Sequence, residues 1–363
     1  MEKATEHTEQ SSMDDVRWVQ KKLGDSNVSK IIMGQSPSSA AYNEEGVGLP
    51  FLQGCAEFGD LYPNTSIFCS DLLKIAPENS ILMSVRAPVG AINKADQKYV
   101  IGRGLCSIVP IIDGGYLYYY LLQNTHELEL KAQGSTFLAI NSTELNEMPI
   151  CYPDSFPAQR RIAAILTAAD KVIEQTRQLI GKYKSIKQGV MEDLLKPKEG
   201  WKMVKLGECL TIGNGQDYKH LQSGEIPVFG TGGVMTYVDD YLYEGETVCI
   251  GRKGTINKPV YYSGKIWTVD TLFYTHSFVG VMPFFIYYVF CNIDWNKYNE
   301  ATGVPSLSKE TIYKIGISIP DLTEQRRIAK ILSGIDGKIE AEEKVLEKYI
   351  LIKKGLMEKL LSN

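Results

Sequence analysis

The 363 residues include seven cysteines and four histidines, the side chains that would hold zinc or supply a nucleophile. Their spacing supports neither role. Cys55, Cys69, Cys106, Cys151, Cys209, Cys249 and Cys291 never form a Cys-x-x-Cys pair, and His7, His126, His220 and His276 are far apart, so no local ligand pair starts a metal site. An odd, scattered set of thiols suits a reducing cytoplasm. Pro153-Asp154 and Pro320-Asp321 could open a nuclease-type carboxylate cluster. Both precede a long periodic segment, where a turn and a helix N-cap account for them. The runs Gly230-Thr231-Gly232-Gly233 and Gly251-Arg252-Lys253-Gly254 fit neither dinucleotide nor Walker spacing, and Gly264-Lys265 is followed by isoleucine. The Asn-Pro-Pro-Tyr or Asp-Pro-Pro-Tyr loop of amino-methyltransferases is missing too. What remains is the chemistry of non-covalent contact.

The chain is long enough for two domains. With 44% hydrophobic and 23% charged residues it has a globular composition. Its longest apolar stretch, Val279 to Cys291, falls short of the roughly 20 residues needed to span a bilayer. Residues 1–17 are polar and read as a mobile arm, without the basic start and apolar centre of a secretion signal. A net charge of −4 is unusual for a protein that binds nucleic acid. The charge is divided, however. Residues 158–200 carry nine basic and five acidic side chains and 322–363 nine and seven, while acid exceeds base elsewhere. Any contact with DNA in the acidic parts must come from local clusters.

The chain is written twice. Gln159-Arg160-Arg161-Ile162-Ala163 returns as Gln325-Arg326-Arg327-Ile328-Ala329, 166 residues later, and the offset holds through Asp170 and Asp336, Tyr183 and Tyr349, and Lys187 and Lys353. Ile162, Leu166, Ala169, Ile173, Thr176, Ile180, Tyr183, Lys187, Val190 and Leu194 step by fours and threes, as do Ile328 to Leu360 in the second copy. That spacing predicts two helices of about 38 residues, or roughly 57 Å each, and the shared heptads predict that they pair. Asp154 or Ser155 with Pro157 signals the first start, and Asp321 with Glu324 is a capping box for the second. Two equivalent halves suggest a pseudo-two-fold axis, hence antiparallel helices. Ile162 should then lie near Leu360 and Leu194 near Ile328, with Thr176 beside Glu342 in the middle. Before each helix the match is looser. Trp18–Gly24 resembles Trp201–Gly207, Gly34-Gln35 resembles Gly215-Gln216, and Leu49-Pro50-Phe51 answers Ile226-Pro227-Val228. Gly90 to Lys94 answers Gly254 to Lys258, each soon after Arg86 or Arg252. Short β-branched runs bounded by Gly, Pro and Asn read as strands. The tyrosines at 118–120 and 287–288 sit on apolar helical runs and read as packing.

The pairs QRRIAAIL…KQGVMEDLL and QRRIAKIL…KKGLMEKLL, with SVRAPVG and IGRKGT inside the modules, resemble the repeats of the type I restriction-modification specificity (S) subunit. The resemblance covers nearly the whole chain from Trp18. It implies an α/β (α+β) fold of two globular target-recognition modules separated by two long antiparallel helices forming a coiled coil. The boundaries expected are an arm at 1–17, modules at 18–157 and 201–321, a spacer helix and linker at 158–200, and a second spacer helix at 322–363. The implied function is sequence-specific binding of double-stranded DNA with a bipartite, asymmetric site. Each module reads one half, and the helices set the spacing and dock two methyltransferase (M) subunits, with restriction (R) subunits joining through the complex. No catalytic residue, metal or cofactor belongs to this chain in that reading. S-adenosylmethionine, and ATP with magnesium, would serve the partner subunits, in the cytoplasm. DNA contacts should come from polar or basic side chains in Gly-rich loops, some on phosphates and some on base edges. The candidates are Gln35, Ser36, Arg86, Lys94, Arg103 and Ser135 in the first module, and Gln216, Tyr218, Lys219, Arg252, Lys253 and Asn257 in the second. A structural or signalling adaptor, with two ligand modules on a coiled coil, is the alternative that suits the acidic charge.

Overall fold

Heptads sustained without a proline or an uncompensated break make unbroken helices, and the two periodic segments form them: Phe156–Leu195 and Leu322–Leu361, 40 residues each. At 1.5 Å per residue each is about 60 Å long. The computed structural model describes residues 16–124 and 139–362. Asp321 caps the second helix, its Oδ1 accepting from the backbone N–H groups of Thr323 and Glu324 at 2.9 Å. The reciprocal half of the capping box is not made, because both Glu324 carboxylate oxygens are taken by the Arg327 guanidinium at 2.6 Å.

The first module opens and closes with one ribbon, Trp18–Lys22 paired antiparallel with Pro149–Pro153. Between those strands lie two sheets. One is four-stranded and antiparallel, in the order Ser29–Met33, Leu105–Pro110, Ile81–Ser84, Ile92–Lys94. The other has five short strands in the order Tyr42–Asn43, Phe68–Cys69, Leu49–Leu52, Tyr99–Ile101, Ile75–Ala76, with a parallel pair at Leu49–Leu52 and Tyr99–Ile101. The second module repeats the scheme. Its ribbon joins Lys202–Lys205 to Gly316–Ile319, and one six-stranded sheet runs Thr211–Asn214, Leu272–His276, Tyr243–Gly251, Val260–Thr268, Ser223–Gly230, Gly233–Val238. Its parallel pair is Ser223–Gly230 with Val260–Thr268. Each module also carries a short aromatic helix, Gly114–Gln123 or Pro283–Asn292, whose Tyr116, Tyr118 and Tyr119, or Phe285 and Tyr288, are buried.

The chain divides into two compact units, Met1–Gln175 with Leu346–Asn363, and Thr176–Val345. In the first, Ile162 and Leu166 from the start of one long helix share a core with Met357, Leu360 and Leu361 from the end of the other. In the second, Met191, with Leu194 packed alongside, shares a core with Ile328, Ala329 and Leu332. Within each unit the start of one helix thus lies with the end of its mate, which is the antiparallel order. Thr176 is buried and Glu342 half-exposed, and an ion pair from helix to helix in this stretch joins Lys184 Nζ to Glu343 Oε1 at 2.7 Å.

Polar ties recur in both units. Lys353 Nζ lies 2.5 Å from Asp170 Oδ1, and the Tyr119 hydroxyl donates to Asp170 Oδ2 at 2.7 Å. In the second unit Lys187 Nζ lies 2.6 Å from Asp336 Oδ1, and the Tyr288 hydroxyl donates to Asp336 Oδ2 at 2.8 Å. Burial, reinforced by the carboxylate, pushes both phenols up, so each stays a protonated donor. Gln159 and Gln325, 2% and 0% exposed, open the repeated helix motif and act as amide clamps. Gln159 donates to the Pro153 carbonyl and accepts from the Asp113 N–H, both at 2.8 Å. Gln325 donates to the carbonyls of Pro320 and Gly280 at 3.0 Å and accepts from the Met282 N–H at 2.9 Å. One side chain in each unit therefore joins the end of the ribbon, the long helix and the cap of the aromatic helix. Among the described residues no helix is long and apolar enough to cross a membrane, and no group of three or more metal-ligating side chains is present.

Gln159→Ala should destabilise the first unit by about 2–4 kcal/mol, because a carbonyl and an N–H lose their partner away from water. Chemical denaturation of the full chain should show it, with Gln325→Ala acting alike on the second unit. A loss below about 0.5 kcal/mol in either would show that the amide is not holding the junction.

Candidate nucleic-acid interface

Where a chain must pass over a strand end at backbone distance, a glycine is required, and this happens at the matched position of each module. A Cβ on Gly34 would stand 2.1 Å from the Gly102 carbonyl oxygen, and one on Gly215 would stand 1.9 Å from that of Val269. The next residue is a candidate in each case. The Gln35 N–H donates to the Ile101 carbonyl at 3.0 Å and the Gln216 N–H to the Thr268 carbonyl at 2.8 Å, so both backbones are pinned while both side chains are exposed.

In the first module the pinned loop gathers a polar cluster. The Ser36 hydroxyl accepts from Gln53 Nε2 at 3.1 Å and from the Arg103 N–H at 3.2 Å, and the Arg103 side chain is exposed. Gln35, Ser36 and Arg103 are therefore neighbours, with Gln53 as a fourth member. Gln53 carries no repeat or glycine motif, and its only signal in the sequence is the Leu52-Gln53-Gly54 turn after a short strand. Arg86 is exposed, and its backbone bridges to Ala139. Lys94 is placed differently. Its ammonium lies 4.0 Å from the centre of the Tyr118 ring and half-buried, and burial draws its pKa down against the pull of Asp170 and Asp113. It packs on the aromatic helix rather than in the exposed loops. Ser135 lies outside the described residues, as do residues 1–15 of the polar arm.

In the second module Gln216, Lys219, Arg252, Lys253 and Asn257 are exposed, while Tyr218 is half-buried against the core around Trp267. The Trp267 indole N–H donates to the Gln216 carbonyl at 2.9 Å and fixes this loop a second time. Arg252 and Lys253 border an open cleft of about 680 Å³ that also takes in Asn214, Asp270, Phe273 and Lys309.

Hydrogen bonding gives the equivalence of the two modules more exactly than the sequence does. The Val85 N–H donates to the Gly104 carbonyl and the Val85 carbonyl accepts from Ile140, while the Arg252 N–H donates to Thr271 and its carbonyl accepts from Leu307. Arg86 bridges to Ala139, and Lys253 bridges to Ser306. Arg252 thus occupies the place of Val85, which is buried, and Lys253 that of Arg86. Two modules with one backbone frame present different side chains at the same loop positions. That arrangement can hold two different ligand sequences without any reacting group.

The sequence profile described as "Type I restriction modification DNA specificity domain" matches residues 15–182 and 198–348. The putative type I restriction enzyme MjaX specificity subunit of Methanocaldococcus jannaschii is 41% identical over 184 residues, covering 50% of this chain and 43% of that protein. The type I restriction enzyme MjaIX specificity subunit of the same organism is 25% identical over 342 residues, covering 80% of this chain and 74% of that one. The crystal structure of the type I restriction-modification S subunit from M. genitalium superposes with a TM-score of 0.67 at 19% identity, over 96% of this chain and 97% of that chain. A chain from a structure of complex assembly and conformational transition in a type I system gives 0.62 at 14% identity, over 95% and 98%. The structural likenesses show a shared fold. None of these relatives supports the signalling-adaptor alternative.

Gly34→Ala and Gly215→Ala should each destabilise their module by about 1–3 kcal/mol, since the added methyl meets backbone that cannot swing aside. Thermal unfolding of the full chain is the measurement. An unchanged midpoint for both variants would mean that the loops do not lie on the strand ends as described.

Proposed function

The chain belongs to the type I restriction-modification DNA specificity family, and on that premise we propose that it is the non-catalytic recognition subunit of such a system. Each module reads one half of a bipartite, asymmetric duplex site, and the paired helices hold the two readers at a set separation and dock two methyltransferase subunits. Restriction subunits join through that complex. The observation that carries this reading is the shared frame with unlike loops. A common strand-end geometry supports Gln35 and Gln216 alike, while Val85 stands where Arg252 stands and Arg86 where Lys253 stands. Equivalent readers of a palindrome would have no reason to differ there, whereas readers of two unlike half-sites must differ.

Contact with DNA divides into phosphate positioning and base-edge readout. Amides and guanidinium groups suit base edges, a glutamine bidentate on adenine and an arginine on guanine. Gln35, Ser36 and Arg103, with Gln53 beside them, form the reading cluster of the first module together with Arg86, and Gln216, Lys219, Arg252, Lys253 and Asn257 serve the second. Lys94 and Tyr218 support these loops from within, and Ser135 stays a candidate on its sequence position. The chain binds no cofactor in this reading. S-adenosylmethionine, and ATP with magnesium, belong to the partner subunits, and the assembly works in the cytoplasm.

Exchanging residues 201–321 for the second module of another family member should change one half-site of the methylated sequence and leave the other intact, as read by methylome sequencing. A change in both halves would refute two independent readers. Inserting one heptad in both helices, after Gln178 and after Lys344, adds about 10 Å and should lengthen the methylated spacer by about three base pairs. An unchanged spacer in an active variant would refute the helices as a ruler. The double variant Arg252→Ala, Lys253→Ala should weaken duplex binding while methyltransferase-subunit binding persists. Loss of both would mark a folding defect instead.

A further inference from the structure

The cleft beside Phe273 holds two cations on one ring. The Arg252 guanidinium carbon is 6.0 Å and the Lys309 ammonium 5.9 Å from the ring centre, and Phe273 itself is buried. Among the described residues neither cation forms a salt bridge, although Arg252 Nη1 donates to the Asp270 backbone carbonyl at 3.4 Å and Asp270 and Glu310 line the cleft. The carboxylate of Glu300 lines the same cleft but is engaged elsewhere. It accepts from the hydroxyls of Ser308, at 2.7 Å, and Thr311, and those bonds hold its pKa below the usual range. The backbone under the cations is fixed from both sides. The Arg252 N–H donates to Thr271, Leu307 donates to the Arg252 carbonyl, and Gly254 donates to Pro305, each at 2.8 Å.

Two like charges over one apolar ring repel each other, and an anion seated between them would relieve that repulsion. Burial draws the Lys309 ammonium below its ordinary pKa, and the Arg252 charge adds to that lowering against the pull of the Glu310 carboxylate. The fold does not require the arrangement. In the first module the same backbone positions hold Val85 for Arg252, Ser142 for Lys309 and Cys106 for Phe273, and that module closes with the same strand order around them. The two cations and their ring are therefore an addition made in one module.

We propose that this cleft seats a backbone phosphate of the bound duplex between Arg252 and Lys309, so that Lys309 is a phosphate-anchoring residue of the second module alone. The inference rests on the DNA-recognition reading and adds to it a contact of stated chemistry. Such a contact positions the module without reading sequence. It predicts uneven electrostatics, with the second module contributing a salt-dependent anchor that the first lacks at the equivalent place.

The test uses the full chain and fluorescent duplexes, cognate and random, titrated over a range of salt concentrations. Lys309→Gln should weaken binding to every duplex by a similar factor, roughly tenfold. It should also lower the slope of log K against log salt by about 1, while the preferred sequence stays the same. Lys309→Arg should restore both, and equal thermal midpoints for the three proteins exclude a folding effect. Unchanged affinity and slope in Lys309→Gln, with wild-type protein that selects its cognate duplex, would overturn the phosphate seat and leave the recognition reading standing. A changed base preference would overturn it in favour of a base reader. Binding of inorganic phosphate that Lys309→Gln abolishes, with duplex binding unaffected, would assign the cleft to a free anion and overturn it as well. A wild-type chain that selects no duplex would sink the recognition reading itself.

Discussion

Neither module completes its core with the helix that follows it. Ile162 and Leu166 need Met357, Leu360 and Leu361, drawn from the far end of the sequence, and Ile328 and Leu332 need Met191. A helix 40 residues long, with a single apolar stripe, has no stable place alone, so its burial must come from tertiary packing. Because each compact unit takes its helical segments from both repeats, either repeat taken by itself lacks a helix end that its core uses. This constraint explains why the helical repeat tolerates no gap while the modules tolerate many. An inserted residue would rotate every later side chain by about 100° and move the stripe off its partner.

Apolar packing alone would leave the register of two such helices loosely specified, since a shift by one heptad buries nearly the same surface. The polar ties remove that freedom. A half-buried lysine that loses its aspartate on slipping is left with a charge poorly served by solvent, and a displaced tyrosine hydroxyl loses its acceptor. Asp170 with Lys353 and Tyr119, and Asp336 with Lys187 and Tyr288, are the same device written once in each unit. The buried glutamines then transmit the helix position into the module. An amide offers donor and acceptor at one end of a short stem, and Gln159 and Gln325 use both against backbone groups of two different elements.

Around this rigid frame the loops vary. The glycines at 34 and 215 and the parallel strand pair beneath them are shared, and they bring Gln35 and Gln216 to equivalent places. Beyond those two glutamines the loops that face outward from the frame differ, from the Ser36–Gln53–Arg103 cluster of one module to the basic cleft of the other. A scaffold that determines position while leaving identity free is what recognition of many different sequences demands of a family.

The sequence by itself determined the long helices, their order and the duplication, because a period sustained over ten turns and an ungapped repeat are local signals that no tertiary context overturns. It also showed the Gly-Gln steps, since a glycine that recurs at a matched place marks close backbone approach. Other assignments needed the fold. Lys94 follows the same Gly-Ala-Ile-Asn-Lys pattern as an exposed loop would, yet the strand it ends on turns it onto Tyr118. Glu324 has the spacing of a capping residue, but Arg327 one turn later offers a stronger, bidentate partner. The true partner of Arg252 in the first module is Val85, one residue from the arginine that alignment suggests, because strand hydrogen bonds and not residue types set that register. Lys309 carried no sign, and Gln53 only that of a turn after a short strand. Each is placed by a loop that meets others far away in the chain, and proximity across such a distance exists only after the strands have paired.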